Sequence, residues 1–466
     1  MSENSLNYAG EFYVEICALL TLTGTNISLK DQFASVNIYE SIFNNTLTGD
    51  ISFIDTNDLV ANLPIVGQEK LALRLTTPSE NGKDRNVSID FTDVPLRITK
   101  VNAVTDYNEN TKIVVLSFTT PELLQNERTR IAQKYEGEPS VDMVQNILRN
   151  ELKSQKEFYY EKTSNNFKMI AMNERPFAFI NKLSKRCLSA KHNYAPTFLF
   201  YETTKGYHFR TIDSMLNTDS VRMTYQEIIP NLQETGPIGN MFNLLEYEFF
   251  SAPDVLKSTR HGMYSSKLLL LDLHNKVSKT YDYSYLDDFE NNKHTDTKNE
   301  YAQTKPIIST ATDDDGTKMS DNYDSVFHVQ TIDRNVVDGL YNANHVEEDG
   351  TFIYNYNGTD QWLQRRNSRL ANFKTSHGVK IKVPGNSTMQ SGDLLHLVFN
   401  NKTDVTNQYM TGRYLNTRMK HSFVRGDGVH RYELLIECRK DSLASELPTA
   451  GVAHSDQGKS TNQEIE

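Results

Sequence analysis

The amino-acid sequence predicts a mainly β protein with an α+β middle domain, and three observations support this fold class. Hydrophobic and polar residues alternate with period two over residues 11–119 and again over residues 375–440. Between these regions the hydrophobic spacing changes to that of amphipathic helices. The two β regions also contain similar segments in the same order. We therefore expect two similar antiparallel β-barrel domains, the second interrupted by an insertion.

The composition bounds the class of protein. A chain of 466 residues, 38% of them hydrophobic, has material for about two to four domains and is not disordered. Its formal net charge of −11 argues against a general nucleic-acid binder, because neutralising phosphates requires a basic face. No hydrophobic run approaches the ~20 residues of a membrane-spanning helix, and the first residues do not form a secretory signal. The sequence predicts a soluble protein made in a cytoplasm.

The negative charge is concentrated in one segment. Residues 281–350 contain sixteen Asp or Glu and five Lys or Arg, a balance of −11. The other residues contain 44 of each sign, so this segment carries the whole imbalance.

Residues 11–119 are predicted to form the first β-barrel domain, with about seven strands. Alternation is clearest at Phe12, Val14 and Ile16, at Val36 and Ile38, at Ile51 and Phe53, at Leu71, Leu73 and Leu75, at Val87, Ile89 and Phe91, and at Leu96 and Ile98. A closing strand over residues 112–118 precedes Thr120 and Pro121. A capping residue followed by a proline at the first helical position predicts that a helix starts there.

Residues 120–238 are predicted to form a helical and α+β middle domain. One helix is expected from Ser140, and a second from Pro176, because hydrophobic residues follow each at helical spacing. Aromatic segments 197–202 and 207–212 flank a Lys205-Gly206 turn, which predicts a hairpin.

The remainder of the chain is divided as follows. Residues 239–280 are predicted to supply the first strands of the second β-barrel, with 262–274 buried on both faces. Residues 281–374 are an acidic excursion and a helix, 360–373, that returns to the middle domain. Residues 375–440 complete the second barrel, with a hairpin turn at Asp427-Gly428. Residues 441–466 are predicted to be a mobile tail.

An internal repeat relates the two β regions. Residues 67–73 resemble 392–397, residues 97–101 resemble 415–419, and a closing strand follows each, at 113–118 and 432–438. The offsets are 325, 318 and about 320 residues. Chance similarity between two meanders is the alternative. In a symmetric trimer, a duplicated unit of this kind gives a ring of six similar parts.

No catalytic, cofactor-binding or metal site is predicted, and no cofactor is expected. Asp313, Asp314, Asp315 and Gly316 are the best metal candidate, but they lack the alternating ligands of a calcium loop, so a solvated turn is favoured. The histidines show no ligand spacing; examples are His192, His261, His274 and His421. The cysteines are predicted to be buried structural thiols: Cys17, Cys187 and Cys438.

Two further clusters have competing interpretations. Residues 281–285, YDYSY, lie beside Asp287 and Asp288 and suggest either a sugar site or, more simply, a strand end or interface. Three arginines share one predicted helix: Arg365, Arg366 and Arg369. They suggest contact with DNA or, alternatively, pairing between subunits or with the acidic segment. We favour pairing, because an acidic chain gains little by gripping DNA that must slide past.

Segments spread along the chain resemble those of the baseplate hub protein of contractile-tailed, T-even-like bacteriophages. They are residues 40–43 (ESIF), 47–51 (LTGDI), 63–69 (LPIVGQE), 196–210 (PTFLFYETTKGYHFR), and the helix at 361–373 followed by the final barrel. In this order they extend from about Phe12 to Arg439. Related barrels occur in the spike proteins of type VI secretion.

The resemblance implies a homotrimer whose six barrels form a ring around a channel. In that family the ring joins the six-fold tail tube to the three-fold cell-puncturing spike, and phage DNA passes through. The implied partners are a tail-tube initiator protein, a central spike protein and a tape-measure protein in the channel, with no specific DNA binding. The implied location is the virion tail baseplate, assembled in the host cytoplasm, and no enzyme activity is implied. The long acidic segment departs from the family.

Two other functions remain possible from the residues alone. A receptor- or glycan-binding tail protein would use residues 281–350 as its recognition surface. A cell-wall hydrolase would need paired carboxylates or a histidine–metal site, and the sequence shows neither.

Overall fold

A computed structural model of the chain describes residues 7–21, 24, 26–56, 59, 68–77, 87–108, 111–217, 221–227, 236–251, 254–273, 276–296, 316, 321, 323–331, 337–338, 345–346, 352–353, 358–400, 410–426 and 429–443. The structure is mainly β, and most of its strand pairs are antiparallel, as the sequence predicts. The predicted segment 63–67, the aspartates 313–315 and the turn 427–428 lie outside the described residues.

The first β unit contains the strands β1 (Tyr13–Leu20), β2 (Asn26–Ser28), β3 (Phe33–Ser41), β4 (Thr48–Asp55), β5 (Lys70–Thr77), β6 (Val87–Asp90), β7 (Leu96–Asn108) and β8 (Thr111–Thr119). Period-two alternation directs one set of side chains into the core. Val36 and Ile38 of β3 and Ile51 and Phe53 of β4 are all fully buried. The predicted strands of this region are therefore present.

The middle region combines short helices with two small sheets. Its elements are α1 (Pro121–Arg128), β9 (Ile131–Pro139), α2 (Ser140–Asn146) continued by a π-helical turn (Ile147–Glu151), β10 (Phe158–Tyr160), β11 (Asn166–Glu174), α3 (Pro176–Ser184), β12 (Phe198–Thr203), β13 (Gly206–Thr211) and α4 (Ile212–Leu216). The helix starts predicted at Pro121, Ser140 and Pro176 are confirmed. The aromatic hairpin β12–β13 is also confirmed, and β10 adds to it in parallel.

The rest of the chain supplies a second β unit and a separate small sheet. The elements are β14 (Met223–Glu227), α5 (Gly236–Asn240), β15 (Asn243–Leu244), β16 (Glu246–Ser251), α6 (Val255–Arg260), β17 (Ser265–Asp272), β18 (Val277–Ser284), α7 (Tyr285–Asp288), β19 (Phe327–Thr331), β20 (Val337–Asp338), β21 (His345–Val346), β22 (Phe352–Ile353), a π-helical turn (Asp360–Arg365), α8 (Arg366–Thr375), β23 (His377–Pro384), β24 (Leu394–Val398), β25 (Gly412–Gly426) and β26 (Val429–Lys440). None of the described helices has the length and hydrophobicity to cross a membrane.

One large sheet joins the two β units. Its main path runs β15-β14-β24-β25-β3-β4-β8-β7-β5-β1-β2, with β26, β23 and β16 branching from β25, and β6 paired to β5. A single hydrophobic core includes residues of both units, among them Phe12 and Leu116 of the first and Phe423 and Ile436 of the second.

The strand order repeats between the two units. The path β3-β4-β8-β7-β5 in the first unit corresponds to β16-β23-β26-β25-β24 in the second, and every adjacent pair in both paths is antiparallel. A β-bulge occurs at Thr99 in β7 and at the matching Thr417 in β25. The sequence similarity therefore reflects a repeated structural unit.

Backbone hydrogen bonds fix the register of this repeat. The amide of Ile98 donates to the carbonyl of Glu69 at 3.0 Å, and that of Asn416 donates to Asp393 at 2.9 Å. These two bonds match Glu69 with Asp393, an offset of 324 residues. The offset of 325 predicted from the glycine turns is thus wrong by one residue, because a turn glycine does not mark which strand residue enters the ladder.

Two strand assignments made from sequence need correction. Residues 239–280 were expected to enter the second β unit throughout, but β17 pairs with β18 and β19 in a separate three-stranded sheet. Conversely β14, expected in the middle region, pairs in parallel with β24. In β17 the side chains alternate between buried and half-buried, so it is not buried on both faces. A hydrophobic run predicts a strand but does not specify its partner.

The start of the predicted mobile tail is ordered. Asp441, Ser442 and Leu443 are buried, and the two polar residues bond to Thr295 and Asp296. These bonds satisfy polar groups that composition alone suggested would be solvated.

Candidate assembly surface

The joint between the two β units is a pair of antiparallel strands. β3 pairs with β25 from Ser41 opposite Arg418 to Ser35 opposite Val424. Behind this joint the ring of Phe12 packs edge-on against Phe423, with ring centroids 5.1 Å apart. The joint therefore combines a hydrogen-bonded ladder with a shared aromatic core.

A buried carboxylate lies at one end of the joint. Glu40 accepts hydrogen bonds from the amides of Thr204 (2.7 Å) and Ser391 (2.8 Å), and its Oε1 lies 3.5 Å from Nε2 of His421. The other ring nitrogen of His421 bonds to the Tyr432 hydroxyl at 2.7 Å. Glu40 thus connects the first unit, the β12–β13 hairpin and the second unit.

The environment of Glu40 favours its charged form. Burial by itself raises the pKa of Glu40, but the hydrogen bond and charge of His421, with the two backbone amides, lower it below its ordinary value. A carboxyl group whose pKa is lowered on folding stabilises the protein above the unfolded-state pKa. That stabilisation is lost as the pH falls through the folded-state pKa.

We expect Glu40→Gln to lower the free energy of unfolding by about 1–3 kcal/mol at neutral pH, because the amide replaces a charged acceptor. As the pH falls below the ordinary Glu value of 4.5 and through the lower folded-state pKa, the wild type loses the contribution of Glu40. The free energies of unfolding of the two proteins then converge. Urea denaturation at pH 7 and at about pH 3 measures this. Glu15→Gln, on the exposed face of β1, is the control and should match wild type at both values. A constant difference between wild type and Glu40→Gln would contradict the expectation.

The arginines of the predicted helix point into the protein. Arg365, Arg366 and Arg369 are all buried. Arg365 lies 3.2 Å from Asp288 and donates to the carbonyl of Asn291 at 2.9 Å, both in the acidic segment. The favoured interpretation, pairing of this helix with the acidic segment, is confirmed for Arg365. Arg366 instead donates to the carbonyls of Pro196 and Phe198 in the middle region. The alternative interpretation, that these three side chains contact DNA, is wrong, because they are buried and a phosphate group could not reach them.

Arg369 is the centre of the most buried charge cluster. Its Nη1 donates to Oδ2 of Asp441 at 2.8 Å, its Nη2 donates to the carbonyl of Lys293 at 2.6 Å, and Asp213 lies 3.7 Å away. Nδ1 of His294 is 2.9 Å from the same Asp441 oxygen. Burial opposes ionisation of Asp441, but His294 and Arg369 hold its pKa well below the ordinary value.

A second buried cluster joins the middle region to the first β unit. Lys156 pairs with Glu122 at 2.8 Å and also with Glu202. Glu202 accepts from the amide of Leu47 at 2.9 Å and from the hydroxyl of Thr120 at 2.8 Å. Burial alone would lower the pKa of Lys156, but the two carboxylates raise it. These charges have a structural role at a junction of three elements.

The tyrosine cluster is part of the packing around α8. Tyr285 is fully buried, and its hydroxyl accepts from Nδ2 of Asn372 at 2.9 Å. The hydroxyl of Tyr283 donates to Asp288 at 3.1 Å. Both hydroxyls are bonded within the protein, as the strand-end interpretation expects.

The other residues singled out from sequence do not converge. Among the described residues, no group of three or more His, Cys, Asp or Glu is arranged to hold a metal ion. The three cysteines are buried free thiols, as predicted, and burial raises the pKa of Cys17 and Cys187 to about 12. His421 and His294 serve the carboxylates described above, a role that spacing along the sequence does not reveal.

A groove of about 630 Å³ crosses the outer face of the joint between the units. Charged side chains that line it pair with one another, for example Lys382 with Glu246 at 3.4 Å and Arg418 with Glu437 at 3.3 Å.

Two of the sheet edges that carry no partner strand among the described residues lie in the repeated part of the two β units, on β16 and β7. β16 pairs with β23 alone, and beyond Ile98 the strand β7 pairs with β8 alone. Exposed hydrophobic side chains accompany these edges: Tyr247 and Phe249 on β16 and Val104 on β7. Open edges with apolar side chains are potential sites for strand addition.

No protein-family model matches the sequence, and no curated protein matches it. Solved structures do match, among them phage tail and type VI secretion proteins. The 43 kDa tail protein of prophage MuSo2 from Shewanella oneidensis is 8% identical, with 91% of this chain and 98% of that chain covered and a TM-score of 0.50. A tail protein from Neisseria meningitidis MC58 is 8% identical, with 94% and 100% covered and a TM-score of 0.49.

The E. coli c3393 protein, a component of the type VI secretion system with structural similarity to the T4 tail proteins gp27 and gp5, is 10% identical. It is matched over 92% of this chain and 76% of its own length, with a TM-score of 0.38. At such identities a structural likeness shows the fold alone. The resemblance inferred from sequence is confirmed at that level: this chain shares its fold with a prophage tail protein.

Proposed function

We propose that the chain is the structural baseplate hub of a contractile phage tail, a trimeric ring that adapts a six-fold tail tube to a three-fold spike. The observation that carries the proposal is the repeated β unit, with the same strand order and the same bulge in both copies. Three chains then supply six similar units. A ring of this kind meets six-fold symmetry on one face and three-fold symmetry on the other.

The fold supports a role in a tail, since the MuSo2 protein that shares it is a tail protein. The proposed partners are a tail-tube initiator on one face, a central spike protein on the other and a tape-measure protein in the channel. Phage DNA passes through without specific binding. The proposed location is the virion tail baseplate, with assembly in the bacterial cytoplasm.

We propose a structural rather than an enzymatic role. The buried charges at Glu40, Lys156 and Arg369 are engaged by carboxylates, backbone groups or histidine at junctions between elements. Catalytic groups need access to a substrate as well as shifted pKa values, and burial denies access to these.

The first test is the mass of the purified protein. We expect a trimer of about 160 kDa by light scattering, three times the 53.3 kDa of one chain. A protein that stays monomeric at high concentration and in the presence of its spike partner contradicts the proposal.

A receptor- or glycan-binding tail protein is the other candidate, with residues 281–350 as its recognition surface. Replacing residues 298–320 by a Gly/Ser linker retains Asp288, His294 and Asp296, whose contacts hold the segment in the structure. Unchanged adsorption to host cells favours the hub, whereas loss of adsorption with a normal trimer favours receptor binding.

A further inference from the structure

The internal repeat indicates what covers the open edges of β16 and β7. Inside one chain, the outer edge of β3 in the first unit is covered by β25 of the second. By the repeat, β16 is the counterpart of β3, and β7 is the counterpart of β25. Yet the edges of β16 and of β7 beyond Ile98 carry no strand among the described residues.

Strand register identifies matching residues on these edges. Ile38 pairs with Gly49, which pairs with Phe118; Phe249 pairs with Val379, which pairs with Cys438. Phe118 lies opposite Ile98 and Cys438 lies opposite Asn416, and each of these partners immediately precedes the shared bulge. Phe118 and Cys438 are therefore equivalent, which makes Phe249 the counterpart of Ile38.

The same reasoning applies to β7. Val104 pairs with Val114, and His421 pairs with Leu434. Val114 and Leu434 occupy the same position relative to the shared bulge, four residues before Phe118 and Cys438. β7 has one extra residue, at a second bulge near Asn102, so residues of β7 and β25 cannot be matched by counting along the strands. They are matched instead through their pairing partners on β8 and β26. Val104 is therefore the counterpart of His421.

These counterparts differ in exposure in one consistent direction. Ile38 and His421 are paired with each other in the joint and are both 0% exposed. Phe249 is 41% exposed and Val104 is 44% exposed, although each lies opposite a fully buried residue and so faces the core side of its sheet. Tyr247 is likewise 40% exposed, whereas its counterpart Val36 is 0% exposed. The exposed positions are those that the missing strand would cover.

We propose that β16 of one copy of the chain pairs antiparallel with β7 of the next copy, with Phe249 opposite Val104, so that the internal joint is repeated between chains. The contact uses different surfaces on the two partners, which generates a ring or an open filament rather than a two-fold dimer. The edges gain backbone hydrogen bonds, and the apolar side chains are buried. The closure of this ring at three copies rests on the proposed function.

Cysteine cross-linking tests the register directly. Directly opposed residues of an antiparallel pair have Cα atoms about 4.5–5.5 Å apart, a distance that a disulfide spans. The full-length variant Val104→Cys with Phe249→Cys should form chains linked in twos and threes on a non-reducing gel after mild oxidation. The three native thiols are buried and do not interfere. Each single variant, and Val104→Cys with Met172→Cys at an exposed site on β11, should give no ladder.

A second measurement uses charge instead of a new bond. Phe249→Asp should reduce the mass in solution from about 160 kDa to the 53.3 kDa of one chain. Leu435→Asp is the matched control, because Leu435 is similarly exposed, at 42%, but lies away from both open edges on β26. This control should remain trimeric, and circular dichroism should show that both variants are folded.

The outcomes separate this inference from the proposed function. A trimer without the cross-linked ladder, or a trimeric Phe249→Asp protein, overturns the strand pairing and leaves the hub proposal intact. If the wild type is monomeric and the double-cysteine variant gives no ladder, both the strand pairing and the hub proposal are overturned. A ladder that extends beyond three chains supports the strand pairing and contradicts the trimeric ring.

Discussion

Arg369→Met is expected to lower the free energy of unfolding by about 3–5 kcal/mol, because it removes the guanidinium shared by two buried carboxylates. Arg369 and Asp441 have no solvent exposure, and their atoms are 2.8 Å apart. Asp213 lies in the same cluster. Urea denaturation followed by the fluorescence of the single tryptophan, Trp362 in the adjoining π-helical turn, measures the change.

A matched control distinguishes burial from charge. Arg418 forms an ion pair with Glu437, but its side chain is 58% exposed. Arg418→Met should therefore change the free energy of unfolding by less than about 1 kcal/mol. Adding Asp441→Asn to Arg369→Met should recover part of the lost stability, since one uncompensated charge is removed. Equal effects for Arg369→Met and Arg418→Met would refute the assignment of Arg369 as a buried anchor.

Lys156→Met should have a comparable effect, about 3–5 kcal/mol, for the same physical reason. Lys156 is the cation shared by the buried Glu122 and Glu202, which connect α1, β12 and the turn before β4. Chemical denaturation at pH 8 gives the magnitude. The loss should be smaller at pH 5, because carboxyl groups without a cation in a buried site have raised pKa values and take up protons as the pH falls.

The control for this second variant is Lys134→Met. Lys134 pairs with Glu136 on β9, and both side chains are largely exposed, so the expected change is less than about 1 kcal/mol. A loss at pH 8 no larger than that of Lys134→Met would show that Lys156 does not compensate the two buried carboxylates.

Local patterns in the sequence predicted elements better than partners. The hairpin at Lys205-Gly206 and the helix starts at Pro121 and Pro176 follow from turn and capping chemistry within a few residues, so they were predictable. Strands β9 and β11 were not predicted, because hydrophobic and polar residues do not alternate clearly in either. The exposed residues of β9 are mostly polar, whereas β11 exposes Ile170 and Met172.

The partners of strands and charged side chains depend on residues far apart in the chain, and these the sequence did not predict. β17 was expected in the second unit because it is hydrophobic, but its partners β18 and β19 lie in another sheet. The arginines of α8 had two interpretations, since the charge of a side chain does not reveal its burial. The partners of Arg369 are distant in sequence: Asp441, for example, is 72 residues away along the chain.

The joint between β3 and β25 also constrains when the protein can fold. Ser422 and Asn37, which bond across it, are 385 positions apart in the chain. At ribosomal rates of about 5–20 residues per second, the outer edge of β3 waits on the order of 20 to 80 s for its partner. During that interval a nascent chain presents the edge to its neighbours on the same messenger RNA. Timely synthesis of the C-terminal strands thus protects each copy from joining the wrong chain.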